Sequence, residues 1–451
     1  MDIIIAGGGK VGITLCRQLA AEGHNLTIID QNDKVLETAV ERYDAIAVRG
    51  NCASKETLER AGVGEAELVI AATGADELNL LCCMTAHGMN PNVHTIARIR
   101  NPEYAGQVAT MPEIFPLSLT VNPEKQAALE IEHLLKFPGF LGRDTFAKGR
   151  AEIVELRVDA GSKLCNVSLM EMSNVVKCRV LVCAVLRAGK AIAPRGNFVL
   201  QENDRIFVTA PTADLTTLLK NLGIITRRAR NVLICGGGRV SYYLAKLLEH
   251  DKISVQILEQ DYDRCVSLAA QLPKASVIHG DCSSQATLEA QGISSCDAVI
   301  TLTGTDETNM IVSLYAGSQG VPQIITKLGR GENISIADAM SLGSIVVPRE
   351  LCSNNIVRYV RAMENQVGAA VSVHAIADGQ AEAVEFLVDS TTKFRNTPLK
   401  QIRLKPNVLI ASITSGVATH IPNGDSVFSE GDTVVVVTSG DVLHQINDIF
   451  A

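Results

Sequence analysis

Two glycine-rich runs carry the residue types in this chain best suited to chemistry. The first reads Gly7-Gly8-Gly9-Lys10-Val11-Gly12 and directly follows the apolar run Ile3–Ala6. In a strand–loop–helix setting the first glycine of such a loop allows a tight turn. The second lets backbone approach a pyrophosphate, and the third lets helix and strand pack closely. The helix that follows offers free N–H groups and its positive dipole end to phosphate oxygens. Asp30 closes the next apolar run, LTIID, 18 residues past Gly12. A carboxylate there accepts hydrogen bonds from a ribose diol and repels a 2′-phosphate, so NAD(H) is expected over NADP(H). Lys10 stands inside the loop, where a cation reaches phosphates. Asn51, Thr73-Gly74 and Arg98 close the third, fourth and fifth apolar runs, at the edge where ligands of open α/β sheets collect.

The second run reads Gly236-Gly237-Gly238-Arg239-Val240-Ser241, with Glu259 as its acid. Serine in the third glycine's place is small enough to keep the helix packed, so a second nucleotide site with altered preference is expected. Asp281, Thr303-Gly304 and Lys327 repeat the strand-end positions. Asp76 and Asp306 read as helix N-caps, backed by Glu77 and Glu307 in the first turns. No Walker A loop follows a strand, and no G-x-S-x-G or Cys/His dyad offers a nucleophile. There is no histidine between residues 150 and 222, so a dehydrogenase's substrate module would lack an obvious acid–base group. No catalytic or metal-ligating residue is assigned. The nucleotide reads as a ligand to be sensed.

The repetition extends along the chain. Gly7 and Gly236 are 229 residues apart, as are Asp30 and Glu259, and ATGADELN (Ala72–Asn79) matches LTGTDETN (Leu302–Asn309) at an offset of 230. EIVELRVDAGSKLCNVSL (Glu152–Leu169) parallels AVEFLVDSTTKFRNTPL (Ala383–Leu399), and Ile192–Val208 parallels His420–Val436. A tandem duplication follows. Within each copy, apolar runs alternate with helical patterns for about 120 residues, the signature of a parallel sheet covered on both faces. A Pro-opened helix over Pro123–Phe137, a Gly/Pro linker FPGFLGRD and a small α+β module over 150–222 with a closing helix at Leu215–Leu222 complete the first copy. Thr226–Arg230 reads as a solvated basic linker between copies. The expected domains are 1–140, 141–225, 229–366 and 367–451.

Composition narrows the partners. A formal net charge of −8, no Trp and 4% aromatic residues disfavour nucleic acid, which asks for basic surface and stacking platforms. No run approaches the roughly 20 apolar residues of a membrane span, and no secretory signal opens the chain. The twelve cysteines are scattered, several within apolar runs, and read as reduced, buried, small hydrophobes of a cytoplasmic protein.

GGGKVG, the acid after the second strand, the Gly-Asn or Gly-Asp after the third, the A-T-x-x-D-E-x-N segment and an Asn-Pro-Glu helix together resemble the RCK (KTN) N-terminal domain. Segments 150–222 and 383–451 resemble the RCK C-terminal domain. The tandem array resembles the peripheral subunits of Trk potassium uptake systems. The resemblance implies an α/β fold, a duplicated Rossmann-like domain each followed by a small α+β domain. It implies a cytoplasmic homo-oligomer, a tetrameric ring beneath a separate Trk membrane subunit, in which NAD(H), ATP or ADP bound at the clefts changes ring shape and so potassium flux. By position, Gly7–Val11, Asp30, Asn51, Thr73, Gly74 and Arg98 would form the first site, and Gly236–Val240, Glu259, Asp281, Thr303, Gly304 and Lys327 the second. The helices at 123–137 and after Pro348 match the family's crossover helices, although their apolar stripes equally suit an ordinary core. Ser241 and Asn51 depart from the family pattern at positions that set nucleotide preference. A NAD-dependent oxidoreductase and a free-standing adenine-nucleotide sensor are the alternative readings.

Overall fold

Continuous apolar runs with no polar face must be covered on both sides, and the strands behave accordingly. In the first copy β1 (Asp2–Ala6), β2 (Asn25–Asp30), β3 (Ile46–Arg49), β4 (Leu68–Ala71), β5 (His94–Arg98) and β6 (Leu119–Val121) form one parallel sheet in the order β3-β2-β1-β4-β5-β6. This is the doubly wound dinucleotide-binding order, with its crevice where the order reverses, between β1 and β4. The computed structural model describes residues 1–137, 140–159, 161–223, 229–330, 333, 340, 342–363, 370–377, 379–440, 443 and 445–451. The expected boundaries at 225 and 366–367, and most of the basic linker, lie outside the described residues.

The next sheet is antiparallel. β7 (Phe140–Phe146), β8 (Ala151–Arg157), β9 (Leu181–Arg187), β10 (Lys190–Ile192) and β11 (Arg205–Thr209) pair in the order β10-β9-β11-β8-β7. Part of the expected linker is therefore strand: Phe140–Asp144 belongs to β7, because Phe140 and then each residue from Gly142 to Phe146 pairs with β8, with a register shift between Phe140 and Gly142. The closing helix starts earlier than its apolar residues suggested, at Thr212, and ends at Leu222 against Gly223 in the left-handed conformation.

The second copy repeats both sheets. β12 (Asn231–Cys235), β13 (Ser254–Glu259), β14 (Ser276–His279), β15 (Ala298–Thr301), β16 (Gln323–Lys327) and β17 (Ser344–Val346) run parallel in the order β14-β13-β12-β15-β16-β17. β18 (Ala370–Ile376), β19 (Ala381–Leu387), β20 (Val408–Ser415), β21 (Ala418–His420) and β22 (Thr433–Thr438) are antiparallel in the order β18-β19-β22-β20-β21. The chain is thus a tandem duplication of a Rossmann-like unit and a small α+β unit.

Each copy lends a helix to the other. The helix Pro123–Lys136, capped by Asn122 with proline at its start, buries Ala127, Ala128, Ile131, Leu134 and Leu135 in one cluster with Val232, Ile234, Leu244 and Leu248 of the second copy. In return Cys352, Ile356, Val357 and Val360 of the helix Pro348–Met363 pack among Ile3, Ile5, Val11, Leu15 and Leu19 of the first. The apolar stripes that equally suited an ordinary core are the seam between the copies. Arg17–Glu350 (3.3 Å), Arg361–Glu22 (2.7 Å) and Lys136–Asp251 (3.0 Å) line its rim. The small units share a core as well, where Phe146, Ile153 and Phe207 meet Ile376, Ala383 and Val437. His374 lies 2.6 Å from Asp144 across that seam, and Glu385 accepts the Ala147 N–H at 3.1 Å.

Replacing a fully buried seam residue should loosen both copies together. Ile356→Ala is expected to cost about 2–5 kcal/mol in urea unfolding and to keep a single transition. Two separated transitions in the wild type would contradict the shared core.

Candidate functional site

The glycine loops leave β1 and β12 and turn into the helices Lys10–Ala21 and Arg239–His250. Gly7 holds φ +98° and Gly236 φ +102°. A Cβ at Gly7 would stand 2.9 Å from the Thr73 backbone, and one at Gly12 would stand 1.9 Å from the Gly7 carbonyl oxygen. Glycine at both is thus a steric requirement. A Cβ at Gly9 or Gly238 would meet no described atom within 4 Å, so both face open space at the loop mouth. Neither glycine caps its helix with a side chain, and Ala75 and Thr305 leave the helices Asp76–Met89 and Asp306–Ser318 equally uncapped. Four helix N-termini with uncommitted N–H groups therefore meet the carboxyl ends of the two parallel sheets, an arrangement suited to phosphate.

The acids are positioned by the loops they face. Asp30 accepts the N–H of Gly8 at 2.7 Å on one oxygen and that of Asn32 at 2.8 Å on the other. Glu259 does the same for Gly237 (2.6 Å) and Asp261 (2.9 Å). A carboxylate has roughly four lone-pair positions, so each acid retains capacity for ribose hydroxyls while it holds the loop. Ser241 fits by a different route than mere smallness, since its hydroxyl donates to the Gly236 carbonyl at 2.5 Å.

Asn51 is exposed and accepts the Ala53 N–H at 3.1 Å. Asp281, also exposed, accepts both the N–H and the hydroxyl of Ser283 at 2.8 Å, which hold its carboxyl below the usual carboxylate range. Lys10 and Arg239 are exposed at the helix starts. Arg98 and Lys327 are turned inward: Arg98 donates to the Thr73 carbonyl, and Lys327 to the Leu302 carbonyl at 3.1 Å. Burial pushes the Lys327 ammonium below its ordinary pKa, while Asp306 and Glu124 act in the opposite sense. The glycines, acids, Thr73-Gly74 and Thr303-Gly304 thus gather at one edge of each sheet, with Arg98 and Lys327 beneath them.

The reading of Asp76 and Asp306 as N-caps is corrected. Each is the first helical residue and points away from its own helix. Asp76 accepts the N–H groups of Arg100 and Asn101, both at 2.7 Å, and pairs with the Arg100 guanidinium at 3.3 Å. Asp306 accepts those of Gly329 (2.6 Å) and Arg330 (3.1 Å). The carboxylates tie the loop after the fifth strand to the helix after the fourth. Two further residues went unassigned in the sequence. Asn79 is fully buried, accepts the Thr73 N–H (2.8 Å) and hydroxyl (2.6 Å), and donates to the Arg98 carbonyl at 2.8 Å. Asn309 repeats all three bonds with Thr303 and Lys327. An asparagine kept in both copies amid apolar helix residues was the available signal.

Residues 3–112 and 232–348 match the TrkA-N domain family model, and residues 153–223 and 383–451 match the TrkA-C domain. The chain belongs to the TrkA family. The Archaeoglobus fulgidus protein called "Trk system potassium uptake protein TrkA homolog" is 30% identical over 451 residues, covering 100% of both chains. The Vibrio alginolyticus protein "Trk system potassium uptake protein TrkA" is 28% identical over 97% of this chain and 95% of its own. Among solved structures, the "GsuK channel bound to NAD" superposes with a TM-score of 0.63 at 17% identity, over 97% of this chain and 77% of that one, which speaks to the fold. TrkA-N and TrkA-C stretches alternate along this chain as its parallel and antiparallel sheets do.

Asn79→Ala leaves the Thr73 N–H and the Arg98 carbonyl without their buried partner. We expect a stability loss of about 1–3 kcal/mol in thermal unfolding, with the Thr73-Gly74 edge of the first cleft loosened. An unchanged melting temperature would contradict the assigned network.

Proposed function

We propose that the chain is the cytoplasmic, nucleotide-binding regulatory subunit of a Trk-type potassium uptake system, acting on a separate membrane subunit. One observation carries the reading: two doubly wound clefts, each with a glycine loop braced by the acid that closes its second strand, lie in a chain matched end to end by proteins named for Trk potassium uptake. No described helix is long and apolar enough to cross a membrane, which agrees with a pore built by another protein. NAD(H) is the favoured ligand, with ATP and ADP as alternatives, since the adenosine half is common to all three. The nucleotide is sensed without being transformed, in contrast to an oxidoreductase. Ligands act by shifting the assembly between two arrangements, each only as far as its affinities for the two differ.

The assembly is a homo-oligomeric ring, with a tetramer of chains as the proposed count. Its support lies on the helices Asp76–Met89 and Asp306–Ser318, which expose apolar residues one turn apart at matching positions. These are Leu81 (53% exposed) and Met84 (37%) in the first copy, and Ile311 (64%) and Leu314 (42%) in the second. Such faces mark interaction sites. Leu81→Glu with Ile311→Glu is expected to lower the mass measured by light scattering toward that of one chain. An unchanged mass would place the contacts elsewhere.

The function is tested by potassium uptake into vesicles containing the Trk membrane subunit. With this chain added, NADH, ADP or ATP should change the uptake rate severalfold, and without it they should not. Identical rates with and without the chain would refute the reading.

A further inference from the structure

The two clefts share their loops and acids but differ at the adenosine end, and the differences are coordinated. In the first copy Val35 covers the glycine loop, with its Cγ1 lying 2.1 Å from where a Gly8 Cβ would stand. Position 35 corresponds to Arg264 in the second copy (264 − 229), and Ala39 to Leu268 (268 − 229). There the cover comes from Leu268, whose Cδ1 lies 2.6 Å from the equivalent point above Gly237. The larger apolar residue has moved one helical turn onward, and the vacated position holds an arginine. Its Nε donates to the Gly237 carbonyl at 2.8 Å, which fixes the guanidinium at the loop edge. A paired exchange of Val/Ala for Arg/Leu keeps the loop packed and adds an anchored cation.

The next strand differs in the same sense. Arg49 stands beside Asp30 in the β2–β3 register, and His279 beside Glu259 in the β13–β14 register. Arg49 is held by Asp33 at 3.3 Å, whereas His279 stands edge-on to Tyr262, with ring centroids 5.6 Å apart and planes at 82°. Tyr262 replaces Asp33 in the duplication and is 64% exposed. Where the first cleft closes its rim with an ion pair, the second presents a planar guanidinium and two exposed rings. Flat cationic and aromatic faces stack on a purine, whereas an ion pair spends its cation on its partner.

We infer that Arg264, with His279 and Tyr262, makes the second cleft the chain's selective adenosine site, where an adenine nucleotide is held chiefly by its base and ribose. The first cleft, with no such platform, holds its ligand mainly through the glycine loop and Asp30. This inference rests on the nucleotide binding proposed above and adds that the two sites differ in strength and cause.

Calorimetric titration of the full chain with ADP tests it. The wild type should show one tighter and one weaker site per chain. Arg264→Ala should weaken the tighter site at least tenfold and leave the other within twofold. Arg264→Lys keeps the charge without the plane or the Nε bond and should weaken the tighter site as well. Val35→Arg combined with Ala39→Leu should tighten the weaker site, a gain that a misfolded variant cannot imitate. Full affinity in both Arg264 variants, full affinity in Arg264→Lys alone, or equal weakening of both sites would overturn the inference while nucleotide binding stands. No ADP binding to the wild type at either cleft would overturn this inference and the proposed function together.

Discussion

Everything else in the molecule depends on the reciprocal loan of one helix by each copy to the other. The helix Pro348–Met363 covers the face of the first parallel sheet that its own glycine-loop helix leaves incomplete, and Pro123–Lys136 does the same for the second. A parallel sheet needs cover on both faces, so neither Rossmann-like unit has a finished core without its neighbour. The borrowed helices lie directly on the helices that open at the glycine loops. A displacement of a loop helix would therefore bear directly on a segment of the opposite copy as well as on its own sheet.

Within each unit the cleft is held open by polar ties that span strand ends. Asp30 and Glu259 brace the loops, Asn79 and Asn309 join the fourth strand to the fifth, and Asp76 and Asp306 hold the loop beyond. Across the seam, Tyr243 on the second copy's loop helix donates to the Arg100 carbonyl at 2.8 Å and accepts from Asn122 at 3.0 Å. Arg100 itself grips Asp76 and the Gly74 carbonyl. One hydroxyl thus joins the helix opening the second cleft to the loop that closes the first. Its counterpart in the duplication, Thr14, donates within its own helix to the Lys10 carbonyl at 2.8 Å, so the wiring is one-sided.

Much of this was legible in the sequence because duplication doubles every signal. The glycine loops, the acids at 30 and 259 and the alternating strand and helix patterns each occur twice at nearly constant offset, which identified the sheets and the cleft edges. What escaped depends on partners remote in sequence. Asp76 looks like a cap because caps are local, whereas its true partners lie 24 and 25 residues on. Phe140–Asp144 looks like linker because Gly142 breaks the pattern, and only pairing with β8 makes it a strand. The apolar stripes of the two crossover helices announced burial but not against what. No periodicity distinguishes a helix packed on its own sheet from one packed on another's.

The central claim is that nucleotide in one cleft acts on the opposite copy through the borrowed helix. Hydrogen exchange of the full chain, with the second cleft disabled by Glu259→Ala and the first saturated with NADH, tests it most directly. The account predicts slower exchange at the amides of Pro348–Met363, a segment of the second copy, together with slower exchange at Gly7–Leu15. Slowing confined to residues of the first copy would contradict it.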